Sequence, residues 1–216
     1  MVNLEEYKLN PCRVSAIPYW KSKIYKIPDN ILVVHEEEYN CTSHNFEVDT
    51  LYFRLKHNLK SLKLTKLEDT FEYRNVDLTS ANDLKEVVYI INKSYIDIQV
   101  NLDQVIGWTK TKVFDSNLWI FIVDTKTNRP VALGIADVDK EVNEGMLEWI
   151  QVLPEYRGLN LGQAVVNRLL VILSDSVKFV TVSGKVSNKT KPENLYRKCG
   201  FEGNDIWHII KKNNVH

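Results

Sequence analysis

The sequence predicts an α/β fold, and three observations carry that prediction. From residue 71 to residue 212, stretches with the alternation of a strand take turns with stretches whose apolar residues recur at helical spacing. One helical stretch, LGQAVVNRLLVILSDS, sets Leu161, Val165, Leu169 and Ile172 on one stripe and Gln163, Asn167 and Asp175 elsewhere, so it has one face to lay on a sheet. The stretch after it, FVTVSGKV (179–186), is β-branched and alternating, as a strand of that sheet requires.

Taken in order, FEYRNVDLT (71–79) reads as a strand, and TSANDLKEVVYIINKSY begins with Ser and Asn cap candidates and carries Leu84, Val87, Val88 and Ile91 at helical spacing. NLDQVIGWTKTKVF (101–114) is a weaker helix, with Leu102, Val105 and Ile106 on one side and Gly107 against it. LWIFIVDT (118–125) and PVALGIADVD (130–139) flank the turn-rich KTNR and form a hairpin. GMLEWIQVL (145–153) is a third strand, ended by Pro154, which has no N–H to give a sheet ladder. KPENLYRKCG (191–200) is a short helix closed by Gly200, and DIWHIIKK (205–212) is the last strand. Before about residue 70 the texture differs. That part holds Pro11, Pro18 and Pro28, the aromatic-basic patch YWKSKIYK (19–26), and strand candidates NILVVHEEEY (30–39) and TLYFRLKH (50–57). The expected organisation is an N-terminal extension over 1–70 and an α/β domain over 71–216.

Composition excludes several classes of function. The 28 Lys and Arg balance 28 Asp and Glu among 216 residues, so no global field draws the chain to nucleic acid or to an anionic membrane. MVNLEEYKLN is no signal peptide, and apolar runs such as VVYII (87–91) and LLVIL (169–173) are far below a membrane span. A cytoplasmic protein with no membrane partner is the expectation. Cys12, Cys41 and Cys199 are odd in number and widely spaced, so they make no disulfide framework, and the sequons NCT, NKS and NKT have no route to glycosylation.

The chemistry lies in EWIQVLPEYRGLNLG (148–162). A strand stops at a proline, the chain turns through Arg157-Gly158-Leu159-Asn160-Leu161-Gly162, and an amphipathic helix begins with unpaired N–H groups in its first turn. Small residues, the positive end of a helix dipole and an arginine suit a phosphate. Glycines between a strand and a helix also make an ordinary tight turn, and spacing alone does not choose. Neither common nucleotide motif fits. G-x-G-x-x-G lacks its third glycine, and around Gly184-Lys185 the Walker pattern meets Phe179 and Val186 where a glycine and a hydroxyl belong.

VLPEYRGLNLGQAVVNRLL resembles the pyrophosphate-binding signature of the GNAT superfamily of N-acetyltransferases, [Q/R]-x-x-[G/A]-x-[G/A], placed between a strand and a helix. NKTKPENLYRKCGF (188–201) is similar to that family's C-terminal segment, where an asparagine precedes a helix containing a tyrosine and ending in Gly-Phe. The resemblance implies the GNAT fold over residues 71–212, a mixed, mostly antiparallel central sheet flanked by helices. It also implies acetyl-CoA as cosubstrate, no metal, and a small-molecule or peptide amine as acceptor. Carried over by position, it implies that Arg157, Gly158, Leu159, Asn160, Leu161, Gly162 and Gln163 cradle the pyrophosphate and that Val152 and Leu153 pair with the pantetheine arm. A backbone donor near Gln151 or Val152 would hold the acetyl oxygen. Tyr196 would be the acid that protonates the departing sulfur, and Glu148 the base acting directly or through water. A half-buried core tyrosine and an ordinary strand carboxylate are the plain alternatives for these two.

Two positions depart from the pattern. Asn160 stands where glycine or alanine is expected, a place asparagine tolerates because it accepts left-handed angles. Asn188, a pantetheine ligand by resemblance, lies one residue farther from Tyr196 than is usual, with Pro192 between, so Asn194 is the fallback. Other polar groupings read plainly: Cys41-x-x-His44 as chance spacing, His35-Glu36-Glu37-Glu38 as a solvated edge, His208 as packing, Cys199 as core, and YWKSKIYK as a surface or domain contact. The expected function is direct acetyl transfer to an amine. A non-catalytic acyl-CoA-binding regulatory module is the alternative, and the extension could cover the acceptor pocket, form a homodimer or be a degenerate half-domain.

Overall fold

The computed structural model describes residues 2–39, 46–95 and 98–212. In chain order the elements are α1 (Leu4–Leu9), α2 (Pro11–Val14), α3 (Tyr19–Ile24), β1 (Ile31–His35), β2 (Phe46–His57), β3 (Phe71–Asn75), α4 (Ala81–Ser94), α5 (Leu102–Trp108), β4 (Trp119–Asp124), β5 (Arg129–Asp139), β6 (Glu144–Val152), α6 (Leu161–Leu173), β7 (Phe179–Lys185), α7 (Pro192–Lys198) and β8 (Glu202–Lys212). Every strand and helix expected from the sequence is present. They fall into two compact units, Met1–His57 with Thr181–His216, and Asn58–Val180.

In the unit Asn58–Val180, β3, β4, β5 and β6 lie side by side, each pairing antiparallel with the next. The hairpin expected at KTNR is there, and Asn128 takes the positive φ of 52° that its turn needs. Alternation sends Trp119, Phe121, Leu133, Ile135 and Leu153 to one face, where Val87, Ile90 and Ile91 of α4 and Val105 of α5 complete a buried cluster. Both helices start where their sequences say. Ser80 Oγ accepts the Asp83 N–H at 3.3 Å, and Asn101 and Gln104 bond each other's backbone N–H at 2.9 Å in a capping box. The other face belongs to α6. A Cβ on Gly134 would collide with Val165 and Leu169, so the missing side chain lets that helix lie close on β5.

In the other unit, β8 pairs antiparallel with β1 on one side and β2 on the other. Beyond β2 runs β7, and the Val186 N–H just after it donates to the Leu51 carbonyl at 2.9 Å. The short helices α1 to α3 bury Tyr7, Cys12, Tyr19 and Trp20, so two residues of the aromatic-basic patch are core, whereas Ile24 and Tyr25 face solvent. Arg54 is 1% exposed and donates to the Tyr7 hydroxyl at 2.8 Å, Ser183 Oγ at 3.2 Å and Thr181 Oγ1 at 3.3 Å. Helix α7 ends in a Schellman motif. The Phe201 N–H reaches the Tyr196 carbonyl at 3.0 Å, the Gly200 N–H reaches that of Arg197 at 3.0 Å, and Gly200 supplies the φ of 95°. That is the physical content of the Gly-Phe pair.

The run His35-Glu36-Glu37-Glu38 is more than a solvated edge. Its carboxylates stay exposed, but each has a partner, because Arg13 on α2 and two buried histidines lie within reach. Arg13 binds Glu37 at 3.2 Å and Glu38 at 3.0 Å, His35 Nε2 meets Asp205 at 3.1 Å, and His208 Nε2 meets Glu36 at 2.6 Å. His208 is packed, as expected, and also hydrogen-bonded into a network. Its Nδ1 lies 2.7 Å from Asp49, and its ring stacks on Tyr39 with centroids 3.8 Å apart. Cys199 and Cys12 are both buried and reduced. The spacing Cys41-x-x-His44 lies outside the described residues. Among the described residues no group of three or more His, Cys, Asp or Glu could hold a metal ion, and no helix is long and apolar enough to cross a membrane.

Candidate functional site

The unit Asn58–Val180 brings together Glu148, Gln151, Val152, Leu153 and the loop Arg157 to Gln163 on the path from β6 into α6. Strand β6 is not regular. Its register against β5 slips between Ile135↔Trp149 and Ala136↔Leu147, which leaves Glu148 as the extra residue of a β-bulge. A bulge re-aims the side chain it carries, so the candidate base sits where the strand departs from its ladder. Beyond the bulge the ladder is regular, with Leu133↔Gln151 and Ala132↔Val152. The Leu153 N–H is given to the Val131 carbonyl at 3.0 Å. Since peptide groups alternate between the two edges of a strand, Gln151 and Leu153 turn theirs toward β5 and Val152 turns its own to the opposite edge. Of the two donors named for the acetyl oxygen, Val152 is therefore the one that points away from β5.

After Val152 the chain is fixed on both sides. Pro154 to Tyr156 form a single 3₁₀ turn, the Tyr156 hydroxyl donates to Asp124 Oδ2 at 3.1 Å, and Phe71 sets its edge against the Tyr156 ring. The bond to Asp124 raises the Tyr156 phenol above its ordinary value, because it favours the protonated donor. The Arg157 guanidinium donates to the carbonyls of Val152 at 3.4 Å and of Ser94 at 3.3 Å, tying the loop to the end of α4. Gly158 has φ 85° with open space around it, so its role is the backbone angle rather than a close approach. Asn160 has φ 58° and ψ 13°, and its side chain caps no N–H of α6. The first bond of the helix runs from the Ala164 N–H to the Asn160 carbonyl at 3.0 Å. Hence the N–H groups of Leu161, Gly162 and Gln163 precede the helical ladder and point out of its positive end, the arrangement that binds a phosphate.

The family model for the acetyltransferase (GNAT) domain matches residues 115–203, which begin just before β4 and contain this loop. Over residues 115–203 the chain is similar to that domain. Solved structures agree on the fold. A GCN5-related N-acetyltransferase from Sphaerobacter thermophilus superposes with TM-score 0.66 at 14% identity, over 76% of this chain and 52% of that one. A tandem GNAT protein from the clavulanic acid biosynthesis pathway gives TM-score 0.58 at 10% identity, over 85% and 64%. The ribosomal-protein-S18-alanine N-acetyltransferase from Escherichia coli gives 0.51 at 17% identity, over 68% and 99%. The chain spans about half the length of the first of these. No curated protein matches it. The GNAT fold expected from the two motifs is thus the fold of the chain.

Two candidates of the GNAT reading belong to the other unit. Tyr196 on α7 is 7% exposed, with its ring against Phe53 at 6.2 Å and Phe201 at 5.7 Å. Asn188 turns its Oδ1 back to the Thr190 N–H at 3.0 Å and hydroxyl at 2.8 Å, and Asn194 is exposed on the first turn of α7. The unit Asn58–Val180 also holds a feature that the sequence did not announce. Trp149 follows the bulge, Trp108 of α5 stacks on it at 5.2 Å with planes 23° apart, and Tyr95 meets it edge-on at 6.0 Å. These three residues lie far apart in the chain and share no period, so only the register of β6 and the two helix ends bring them together.

Proposed function

We propose that this chain is an N-acetyltransferase that moves an acetyl group from acetyl-CoA to a primary amine by direct transfer. The observation that carries the reading is the turn Gly158 to Asn160, left-handed at both ends, which opens the first-turn N–H groups of α6 inside a GNAT domain. Those three donors and the helix dipole hold the pyrophosphate, and Arg157 keeps the loop in place through Val152 and Ser94. Val152, with Leu153 beside it, takes the pantetheine arm, and the Val152 N–H faces the acetyl oxygen, where it stabilises the negative charge that grows as the amine attacks. Glu148 removes the proton that an ammonium must lose, directly or through a water. The nitrogen lone pair then forms the C–N bond, the C–S bond breaks, and the thiolate leaves with the proton that the amine nitrogen sheds, passed through the Tyr196 hydroxyl. Asn188, or Asn194 in its place, steadies the pantetheine. The free thiols of Cys12 and Cys199 support a reducing, cytoplasmic setting.

Isothermal titration with acetyl-CoA and with free coenzyme A tests this reading. Both bind to the wild-type protein, and Arg157→Ala weakens both by about tenfold, the loss of roughly one charge-assisted pair of hydrogen bonds. Absence of binding to either compound would remove the acetyltransferase reading, and binding without thiol release across a broad amine panel would favour a non-catalytic acyl-CoA module.

A further inference from the structure

We infer that the acceptor is a primary amine borne on a flat, apolar body, such as an arylalkylamine or the N-terminus of an aromatic residue, and that Trp149, Trp108 and Tyr95 receive that body. The inference rests on the proposed acetyl transfer at β6 and names the substrate class of the same site. Trp149 is the next residue after Glu148, and its cross-strand partner Ile135 places it on the α4 face of the sheet, the face that Gln151 shares through its pairing with Leu133. Trp108 and Trp149 are both half-buried, and their indole N–H groups make no hydrogen bond among the described residues. A stacked indole pair of this kind, left partly open rather than closed into the core, offers an apolar surface whose π faces carry negative charge. It attracts a ring and a neighbouring cation alike.

The hydroxyls that flank Trp108 in the chain are engaged with its own backbone: Thr109 gives its hydroxyl to the Ile106 carbonyl at 2.8 Å, and Thr111 gives its own to the Trp108 carbonyl at 3.0 Å. An aminosugar or polyamine would need many hydrogen-bonding partners as it shed its water, and this wall supplies few. Glu148 at the bulge is the proposed base for the amine, and the aromatic surface beside it takes what the amine is attached to.

The test measures kcat/KM by thiol release from acetyl-CoA with phenethylamine, a phenylalanine-amide dipeptide, spermidine and glucosamine, alongside equilibrium titration of each amine. Phenethylamine or the dipeptide exceeds spermidine and glucosamine by at least about tenfold, and the better of the two tells a free amine from a peptide N-terminus. Trp108→Leu and Trp149→Leu each raise KM for that amine about tenfold while kcat and acetyl-CoA affinity stay near the wild-type values. A preference for spermidine or glucosamine overturns the inference, as does an aromatic-amine KM that neither variant changes. If no amine turns over, titration still decides: saturable binding of the aromatic amine, lost in Trp108→Leu, supports the inference, and its absence in a protein that binds acetyl-CoA overturns the inference while leaving the cofactor loop standing.

Discussion

Asn160 takes the turn that the phosphate signature ordinarily gives to glycine or alanine, and it does so in the left-handed region, where asparagine is among the few residues at ease. Its side chain bonds no N–H of α6, so the substitution leaves the donors of the first turn to a ligand. Tyr196 is the reverse case. The pattern picked the residue, but its surroundings, buried between Phe53 and Phe201, are those of a core aromatic as much as of an acid. The two roles separate on one atom. Tyr196→Phe keeps both ring contacts and removes only the hydroxyl. We expect turnover to fall by about a hundredfold, within the range of general acid catalysis, while acetyl-CoA affinity measured by calorimetry stays the same. An unaltered rate with a competent amine would make Tyr196 a packing residue.

At the scale of elements, α6 allows binding to be separated from stability. Gly162 sits in its first turn, where a glutamate is favourable to the helix: it replaces glycine, worth about 1 kcal/mol in propensity, and it faces the positive end of the dipole. The same carboxylate would repel a pyrophosphate at the first-turn donors. Gly162→Glu should therefore leave the melting temperature unchanged or raised and lower acetyl-CoA affinity by at least about a hundredfold, read by thermal melts and calorimetry on the same sample. Unchanged affinity would take the loop out of the site. This loop and α7 were legible in the sequence because each is specified locally: a proline stop, small residues at the turn and an amphipathic stripe in one case, a Schellman ending in the other. The bulge at Glu148 was not legible, since a register slip is a property of β6 and β5 together and leaves no mark in GMLEWIQVL. Helices α1 to α3, of six, four and six residues, are too short to show a period, and their boundaries follow Pro11 and Pro18 instead.

Across the whole chain, the part before residue 58 is joined to its C-terminal end by strand pairing that no local pattern could announce. DIWHIIKK reads as a last strand, but that β1 and β2 flank it is a contact between segments far apart in sequence, as in the pairing of Val33 with Ile209. His208 holds this arrangement by charge. Its ring is nearly enclosed, with Asp49 of β2 on one nitrogen, Glu36 from the turn after β1 on the other and Tyr39 across its face. Burial alone would lower its pKa, but the hydrogen bonds to Asp49 and Glu36, and the charges behind them, outweigh burial and hold the imidazolium above its ordinary value. A folded-state pKa raised above the unfolded value of about 6.5 gives stability that is fully present below pH 6.5 and lost as the pH rises through the folded value. Deprotonation would leave one carboxylate facing a nitrogen lone pair. His57 carries the opposite sign, because burial lowers its pKa and its contribution is lost as the pH falls. A single pH–stability curve therefore mixes the two, and the difference between the wild type and His208→Gln isolates the clasp. We expect urea unfolding at pH 6 to show the variant less stable by about 2 kcal/mol, the scale of hydrogen bonds to charged groups, with the gap narrowing steadily toward pH 9. A gap that does not change with pH would mean that His208 is neutral throughout and acts by packing alone.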